Sequence, residues 1–227
     1  MSRQTFLGDK PFIMGGHLER NAGELRGPLI ALNDPFESPQ EAADMLMSQA
    51  GRDSKIYAVR ITPVRNGYAA ENVSDDVVAL MEAAGAEWFE EDDPETPTAW
   101  KPWSGGVSFI VDRWSDGTLG TGSDGYADSR DADIIARTAR SARISASGRP
   151  RVEERVLLHV PADFSAVTAR PAGDTLRLTE AEIRAVSGAA PNATISGLSE
   201  DVARAWRLHP RRLQNLAAAE LDHPNPE

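Results

Sequence analysis

The segment LSEDVARAWRLHPRRLQNL, residues 198–216, constrains the fold of this chain more than any other stretch. Its apolar residues recur three and four positions apart on either side of a four-residue break, which predicts two short amphipathic helices. Ser199 stands where the first helix would be capped. Pro210 stands in the first turn of the second helix, where proline is tolerated. We therefore expect a helical hairpin near the end of the sequence.

The two faces of this predicted hairpin differ in chemistry. The inward face is apolar and comprises Val202, Ala203, Trp206, Leu213, Leu216 and Ala217, with Leu208 filling the turn. The outward face of the second helix carries Arg211, Arg212, Gln214 and Asn215. Arginine pairs with guanine through two hydrogen bonds, and Asn or Gln pairs with adenine in the same way. We therefore expect these four side chains to read bases in a major groove, with Arg207 and His209 contacting phosphates.

The stretch LSEDVARAWRLHPRRLQNLAAAE, within residues 198–220, resembles the helix-turn-helix of AraC-type transcriptional regulators. The shared pattern is a capped helix, Val-Ala at the helix crossing, a short turn, and P-R-x-L-Q at the start of the recognition helix. The resemblance implies sequence-specific DNA binding in a regulatory role. The family usually carries glycine where Arg207 stands, which implies a left-handed backbone there at a cost of roughly 1 kcal/mol. The family has two such motifs, whereas this chain shows one.

The residues also allow a hairpin that only packs or dimerises, so a homodimer stays open as an alternative. Charge bears on this choice. The chain has a formal net charge of −11, and residues 69–134 contain 16 acidic but only 3 basic residues. A strongly acidic surface repels nucleic acid and membranes. Any contact with DNA is therefore expected from a locally basic surface outside this middle segment.

The acidic middle segment supports the alternative function. It combines carboxylates with tryptophans, and an acidic rim around aromatic anchors is one way to build a protein interface. The candidate partner-binding residues are Glu87, Trp88, Glu90, Glu91, Asp92, Asp93, Trp100 and Trp103. On this interpretation the protein is an interaction or inhibitor protein that binds a basic protein partner through residues 87–103. One such protein would be an inhibitor whose acidic surface imitates nucleic acid.

The rest of the pattern predicts an α+β fold: a mixed sheet with flanking helices over residues 1–175, then a small helical domain over residues 176–227. No repeat is evident at the period of a solenoid protein.

Ser38 and Thr179, each followed three positions later by Glu, are typical of the starts of helices. Strands are expected at 29–33, 55–62, 107–114 and 154–160, with a hairpin formed by 167–169 and 175–178. Helices are expected at 74–84, 131–145 and 180–187, besides the one that begins after Ser38.

The sequence offers little for catalysis. It has no cysteine, no H-E-x-x-H zinc motif and no Walker loop, so we expect no catalytic residues, no metal and no cofactor. GTGSDG at 120–125 matches G-x-G-x-x-G, but the aspartates around it would repel a pyrophosphate. Whether the chain is an enzyme is left open, with a non-enzymatic role favoured.

The sequence lacks an N-terminal apolar leader and a membrane-length apolar run, which favours a cytoplasmic protein without membrane contact.

Overall fold

The fold is known from a computed structural model, which describes residues 7–18, 30–31, 35–51, 54–65, 67–89, 100–103, 105–121, 125–138, 152–165 and 167–222. Two sheets lie back to back, and helices cover their outer faces. Three further helices follow at the C-terminal end. The chain is α+β, as predicted from the sequence.

The first sheet belongs to a unit that we call the first unit. Its elements are β1 (Phe12–Leu18), β2 (Ile30–Ala31), α1 (Pro39–Gln49), β3 (Lys55–Val64) and β4 (Gly67–Asn72). The strand order is β2-β1-β3-β4, with antiparallel neighbours throughout. Helix α2 (Ser74–Phe89) packs beside α1, and β5 (Lys101–Pro102) adds a short parallel pairing to β3. The sheet is therefore mixed, as expected.

The second unit repeats this order of elements. It consists of β6 (Val107–Trp114), β7 (Leu119–Thr121), α3 (Ser129–Thr138), β8 (Val152–Val160) and β9 (Thr168–Pro171). Its strand order, β7-β6-β8-β9, matches that of the first sheet position by position. An isolated antiparallel bridge also precedes the helix in each unit, Ile13 to Phe36 in the first and Ser108 to Tyr126 in the second. The chain thus contains two copies of one β-β-α-β-β topology, at a spacing far longer than a solenoid repeat.

The main core lies between the two sheets. Alternate residues along each central strand face this layer, because side chains of a strand point to opposite faces in turn. Tyr57 from β3 and Phe109 from β6 meet there, with their ring centroids 5.8 Å apart. The outer faces form separate clusters, one under α1 and α2 and one under α3. Both faces of each sheet are therefore buried, which explains why the central strands are apolar almost throughout.

Local sequence signals placed most helix starts correctly. The Ser38 hydroxyl accepts a hydrogen bond from the Glu41 N–H at 3.2 Å. The Glu41 carboxylate reaches back to the N–H of Glu37 at 2.8 Å, one residue earlier than a standard capping box would place it. Helix α2 continues to Phe89, five residues beyond the predicted end at Ala84. Helix α3 begins at Ser129, and residues 139–145 of its predicted length lie outside the described residues.

One strand prediction was wrong. Residues 175–178 form no strand, and β9 pairs with β8 instead of folding back on them. Leu176 is buried in the C-terminal helical cluster, where its N–H donates to the carbonyl of Arg137 at 2.8 Å. The apolar alternation of this segment therefore serves packing against helices.

A buried ion pair ties the second sheet to the end of α3. The Arg155 guanidinium makes two parallel contacts with the Asp112 carboxylate, Nε to Oδ1 at 2.6 Å and the second terminal nitrogen to Oδ2 at 2.7 Å. It also donates to the carbonyl of Ala136 at 3.3 Å. Asp112 is 5% exposed, so its charge depends on this partner for compensation.

We expect Asp112→Ala to lower the free energy of unfolding by roughly 3–5 kcal/mol, because it leaves the Arg155 charge buried without its carboxylate. Urea denaturation followed by circular dichroism measures this change. Glu180→Ala is the control, since the Glu180–Arg184 pair is almost fully exposed and should change stability by less than about 1 kcal/mol. Equal losses in the two variants would contradict the structural importance of the Asp112–Arg155 pair.

Candidate nucleic-acid interface

Three helices close the chain: α4 (Glu180–Ser187), α5 (Glu200–Leu208) and α6 (Pro210–Asp222). They share an apolar cluster, to which α3 contributes Ile134. Of the residues predicted to face inward, Val202, Trp206, Leu213, Leu216 and Ala217 are buried. The prediction was wrong for Ala203, which is half-buried, because the small residue buried in α5 is Ala205.

The joint between α5 and α6 is shorter than the predicted four-residue break. Only His209 separates the two helices, with φ −144° and ψ 74°. Its N–H donates to the carbonyl of Ala205 at 2.9 Å, and its carbonyl accepts from the N–H of Leu213 at 3.2 Å. Arg207 lies inside α5, so the expected left-handed backbone there does not occur. A DNA-binding helix-turn-helix generally has a turn of three or four residues, which this joint lacks.

A long-range hydrogen bond fixes the joint to the second unit. The Tyr126 hydroxyl and His209 Nε2 are 2.7 Å apart, although the two residues are 83 positions apart in the sequence. Tyr126 is 2% exposed, and its ring meets the imidazole edge to face. The His209 ring is therefore held against the sheet layer, and Nε2 is already engaged. We leave His209 out of the surface that could meet a phosphate.

Glu182 connects the start of α4 to the start of α5. Its Oε2 accepts from the N–H of Thr179 at 2.9 Å, which completes the predicted capping box. Its Oε1 accepts from the N–H of Ser199 at 2.9 Å and from the hydroxyl of Ser199 at 2.6 Å. Ser199 thus occupies the predicted N-cap position, but its side chain donates to Glu182 and not to its own helix. Burial opposes ionisation of Glu182, yet these donors prevail and lower its pKa to about 2.

Ion pairs hold α5 against α3. Arg204 on α5 pairs with Asp128 and Asp131 at the start of α3. In the opposite sense, Asp201 on α5 pairs with Arg137 at 3.2 Å and with Arg130 at 3.3 Å. Two of the aspartates around residues 120–133, Asp128 and Asp131, are thus partly neutralised by Arg204 of a distant helix.

The outward face of α6 carries part of the predicted DNA-reading set. Arg211 and Asn215 are exposed, Arg212 is half-exposed, and Arg207 is exposed at the end of α5. Gln214 has another role. Its amide donates to the carbonyls of Ala189 at 2.8 Å and Val186 at 3.3 Å, at the C-terminal end of α4. The candidate surface therefore comprises Arg207, Arg211, Arg212 and Asn215, which we call the α6 basic face.

The residues of the alternative interface do not form one exposed surface in the described part of the chain. Trp100 is 4% exposed, and its indole N–H donates to the carbonyl of Gly51 at 3.0 Å. Trp103 packs against the core between the sheets, with Lys55 Nζ 5.4 Å from its ring centroid. The backbone of Glu87 and Trp88 lies in α2. The remaining acids, Glu90, Glu91, Asp92 and Asp93, lie outside the described residues.

Comparison with known proteins adds no assignment. No family model, curated protein or solved structure matches the chain. The likeness to AraC-type regulators therefore depends on residues 198–220 alone.

Within the described residues, no group of three His, Cys, Asp or Glu side chains is arranged to hold a metal ion. No helix there is long and apolar enough to cross a membrane.

We expect Trp206→Ala to lower the free energy of unfolding by roughly 3–5 kcal/mol, since the side chain fills the helical cluster. Trp206→Phe should cost less. It keeps much of the apolar contact and mainly removes the hydrogen bond from the indole N–H to the Ala193 carbonyl, 2.8 Å long. Chemical denaturation measures both variants. Two near-native midpoints would mean that α5 is rotated from the position described.

The Glu182 clamp predicts a pH dependence. The pKa of Glu182 is about 2 in the folded chain against an ordinary value of 4.5, so its stabilisation is complete above pH 4.5. It is lost as the pH falls toward about 2. We expect Glu182→Gln to cost about 2–3 kcal/mol near neutral pH, because four donors lose a charged acceptor. Urea titrations at several pH values should show the two proteins converging in acid. A difference that is independent of pH would contradict the clamp.

Proposed function

We propose that the protein binds duplex DNA through the α6 basic face, most simply in a regulatory role. The observation that carries this proposal is the absence of charge compensation at Arg207 and Arg211. Neither forms an ion pair with any carboxylate among the described residues, and both are exposed. Two uncompensated positive side chains, one on each side of the α5–α6 joint, supply the electrostatic attraction that nucleic-acid binding requires.

The neighbouring arginines differ from Arg207 and Arg211, because each of them forms an ion pair. Arg130, Arg137, Arg155, Arg170 and Arg204 all pair with aspartates or glutamates. These pairs join elements of the second unit to one another or to α5. Arg207 and Arg211 form no such ion pair within the described residues, and both side chains are exposed to solvent.

The local field around α6 also favours an anion. The first turn of α6 contains no acidic residue. Arg211 and Arg212 lie in this turn, and Asn215 lies one turn further on. The N-terminal residues of a recognition helix are those that meet base edges in many DNA-binding proteins. We therefore assign base readout to Arg211 and Asn215, and a phosphate contact to Arg207 at the end of the preceding helix.

The helix is rigidly supported, which base readout requires. Buried Leu213, Leu216 and Ala217 fix its rotation, and the Gln214 amide fixes it to α4. The short joint distinguishes this arrangement from a standard helix-turn-helix. The proposal therefore concerns the exposed face of α6, and it does not require the crossing geometry of AraC-type proteins.

Arg211→Ala is expected to weaken binding to a preferred site by roughly 1–3 kcal/mol and to relax its sequence preference. Arg207→Ala should weaken all duplexes alike and reduce the slope of log K against log salt by about one. The measurement is selection from random duplexes, followed by fluorescence anisotropy at several salt concentrations with the full chain.

Two matched variants make this test specific. Arg211→Lys keeps the positive charge but loses the two-pronged contact, so non-specific binding should persist while site preference falls. Arg60→Ala removes an equal charge from the first sheet, where Arg60 pairs with Glu71 at 2.6 Å, and should leave DNA binding unchanged. No binding by the native chain even at low salt would refute the proposal and return attention to a basic partner of the acidic segment 87–103.

A further inference from the structure

A small cavity opens on the outer face of the second sheet, beside the first residue of α3. Its volume is about 110 Å³, and its polar lining residues are Ser108, Ser129, His159, Thr168 and Arg170. Each water takes about 30 Å³ in the liquid, so the cavity accommodates only a few heavy atoms. It is well below the 300 Å³ or so of pockets that bind drug-sized ligands, so it is too small to enclose a nucleotide or a sugar.

The lining supplies hydrogen-bond donors and one positive charge, and it includes no carboxylate. Arg170 pairs with Asp133 at 2.8 Å and donates to the Pro171 carbonyl at 3.4 Å. An arginine side chain has more N–H donors than these two contacts use. Asp133 also lies 3.8 Å from Arg137, so its charge is shared between two arginines.

Two of the lining residues, Ser108 and His159, form a hydrogen-bonded pair. They face each other across β6 and β8, and Ser108 Oγ lies 2.8 Å from His159 Nδ1. Burial lowers the pKa of His159, so the ring is neutral at neutral pH. When the serine hydroxyl donates to Nδ1, the single ring proton resides on Nε2, which makes that nitrogen a donor.

The first unit offers an internal comparison. The ladder that places Ser108, His159 and Thr168 side by side in the second sheet places Ile13, Arg60 and Glu71 side by side in the first. In the first sheet the two polar side chains of this row, Arg60 and Glu71, form an ion pair with each other. In the second unit threonine stands where the first has glutamate, so no carboxylate occupies this position, and a cavity lies there instead.

We propose that this cavity is a binding site for a small oxyanion, either a carboxylate of acetate size or inorganic phosphate. The Arg170 guanidinium supplies charge, and the hydroxyls of Ser129 and Thr168 supply neutral donors. Such charge-assisted hydrogen bonds are the stronger ones in proteins. The site lies on β8, β9 and α3, so it is independent of whether α6 binds DNA.

The experiment follows the His159 ring resonance by NMR while sodium phosphate or sodium acetate is added to the full chain at constant ionic strength. The signal is assigned with His159→Gln. Measurement at about pH 8, well above the ordinary pKa of histidine, avoids titration of the ring itself. A saturable shift with phosphate, with acetate or with both supports the proposal, and the pattern identifies a tetrahedral or a planar anion.

Variants then locate the site. Arg170→Gln is expected to weaken anion binding roughly tenfold or more, the loss that removing a charged hydrogen bond brings. Thr168→Val, which removes only a hydroxyl, should weaken it less. Arg60→Gln removes the same charge from the first unit, at the position that corresponds to His159, and should have no effect. The proposal fails if neither anion gives a saturable shift, or if Arg60→Gln weakens binding as much as Arg170→Gln does.

Discussion

Burial of apolar side chains between the two sheets is the interaction on which the rest of the molecule depends. Tyr57, Val59, Phe109, Val111 and Leu158 are fully buried in this layer. Apolar burial contributes about 25 cal/mol per Å², so a layer shared by two sheets is a major source of stability for a chain without disulfides. Because the inner faces are used in this way, each outer face needs its own helices. The positions of α1 and α3 follow from that requirement.

Charge is distributed according to the same architecture. Ion pairs join strands within the second unit, as Arg155 does with Asp112, and join α5 to that unit, as Arg204 does with Asp128. Such pairs neutralise part of the acidity of the middle segment. They also leave Arg207 and Arg211 as arginines with no carboxylate partner in the described part of the chain. A protein that is acidic overall can therefore present a local basic surface, and the proposed DNA contact depends on this local excess.

The duplicated units show how one topology acquires different surfaces. In the first unit the outer ladder ends in an ion pair between Arg60 and Glu71. In the second unit the corresponding positions hold a serine–histidine pair and a threonine beside a cavity. The bridge that precedes the helix also differs, since Tyr126 extends its hydroxyl to the α5–α6 joint. The second unit thus supports both candidate sites, whereas the first unit closes its outer face with its own residues.

Local chemistry made much of the secondary structure readable from the sequence. The strand at Val107–Trp114 was predicted at its exact bounds, because β-branched and aromatic residues cluster there between turn residues. Helix α4 was likewise predicted at its bounds, since a capping box acts over only three residues. The apolar face of the hairpin was predicted except at Ala203, because helical periodicity specifies which side chains share a side.

Which polar side chains are exposed was decided by the tertiary structure alone. Whether Gln214 faces DNA or the end of α4 depends on a neighbouring helix that approaches from 25 and 28 residues earlier in the chain. The His209 ring is held by a hydrogen bond with Tyr126, and the Trp100 indole by a hydrogen bond to the carbonyl of Gly51. The duplication was also hidden, because two units can share a topology while differing at most positions. The sequence by itself thus determined the helices and the apolar central strands β3, β6 and β8, whose patterns arise from residues a few positions apart, whereas β1 and β4 were not predicted. Only the folded chain decided which polar groups remain open to a ligand, because that depends on hydrogen bonds between segments far apart in sequence.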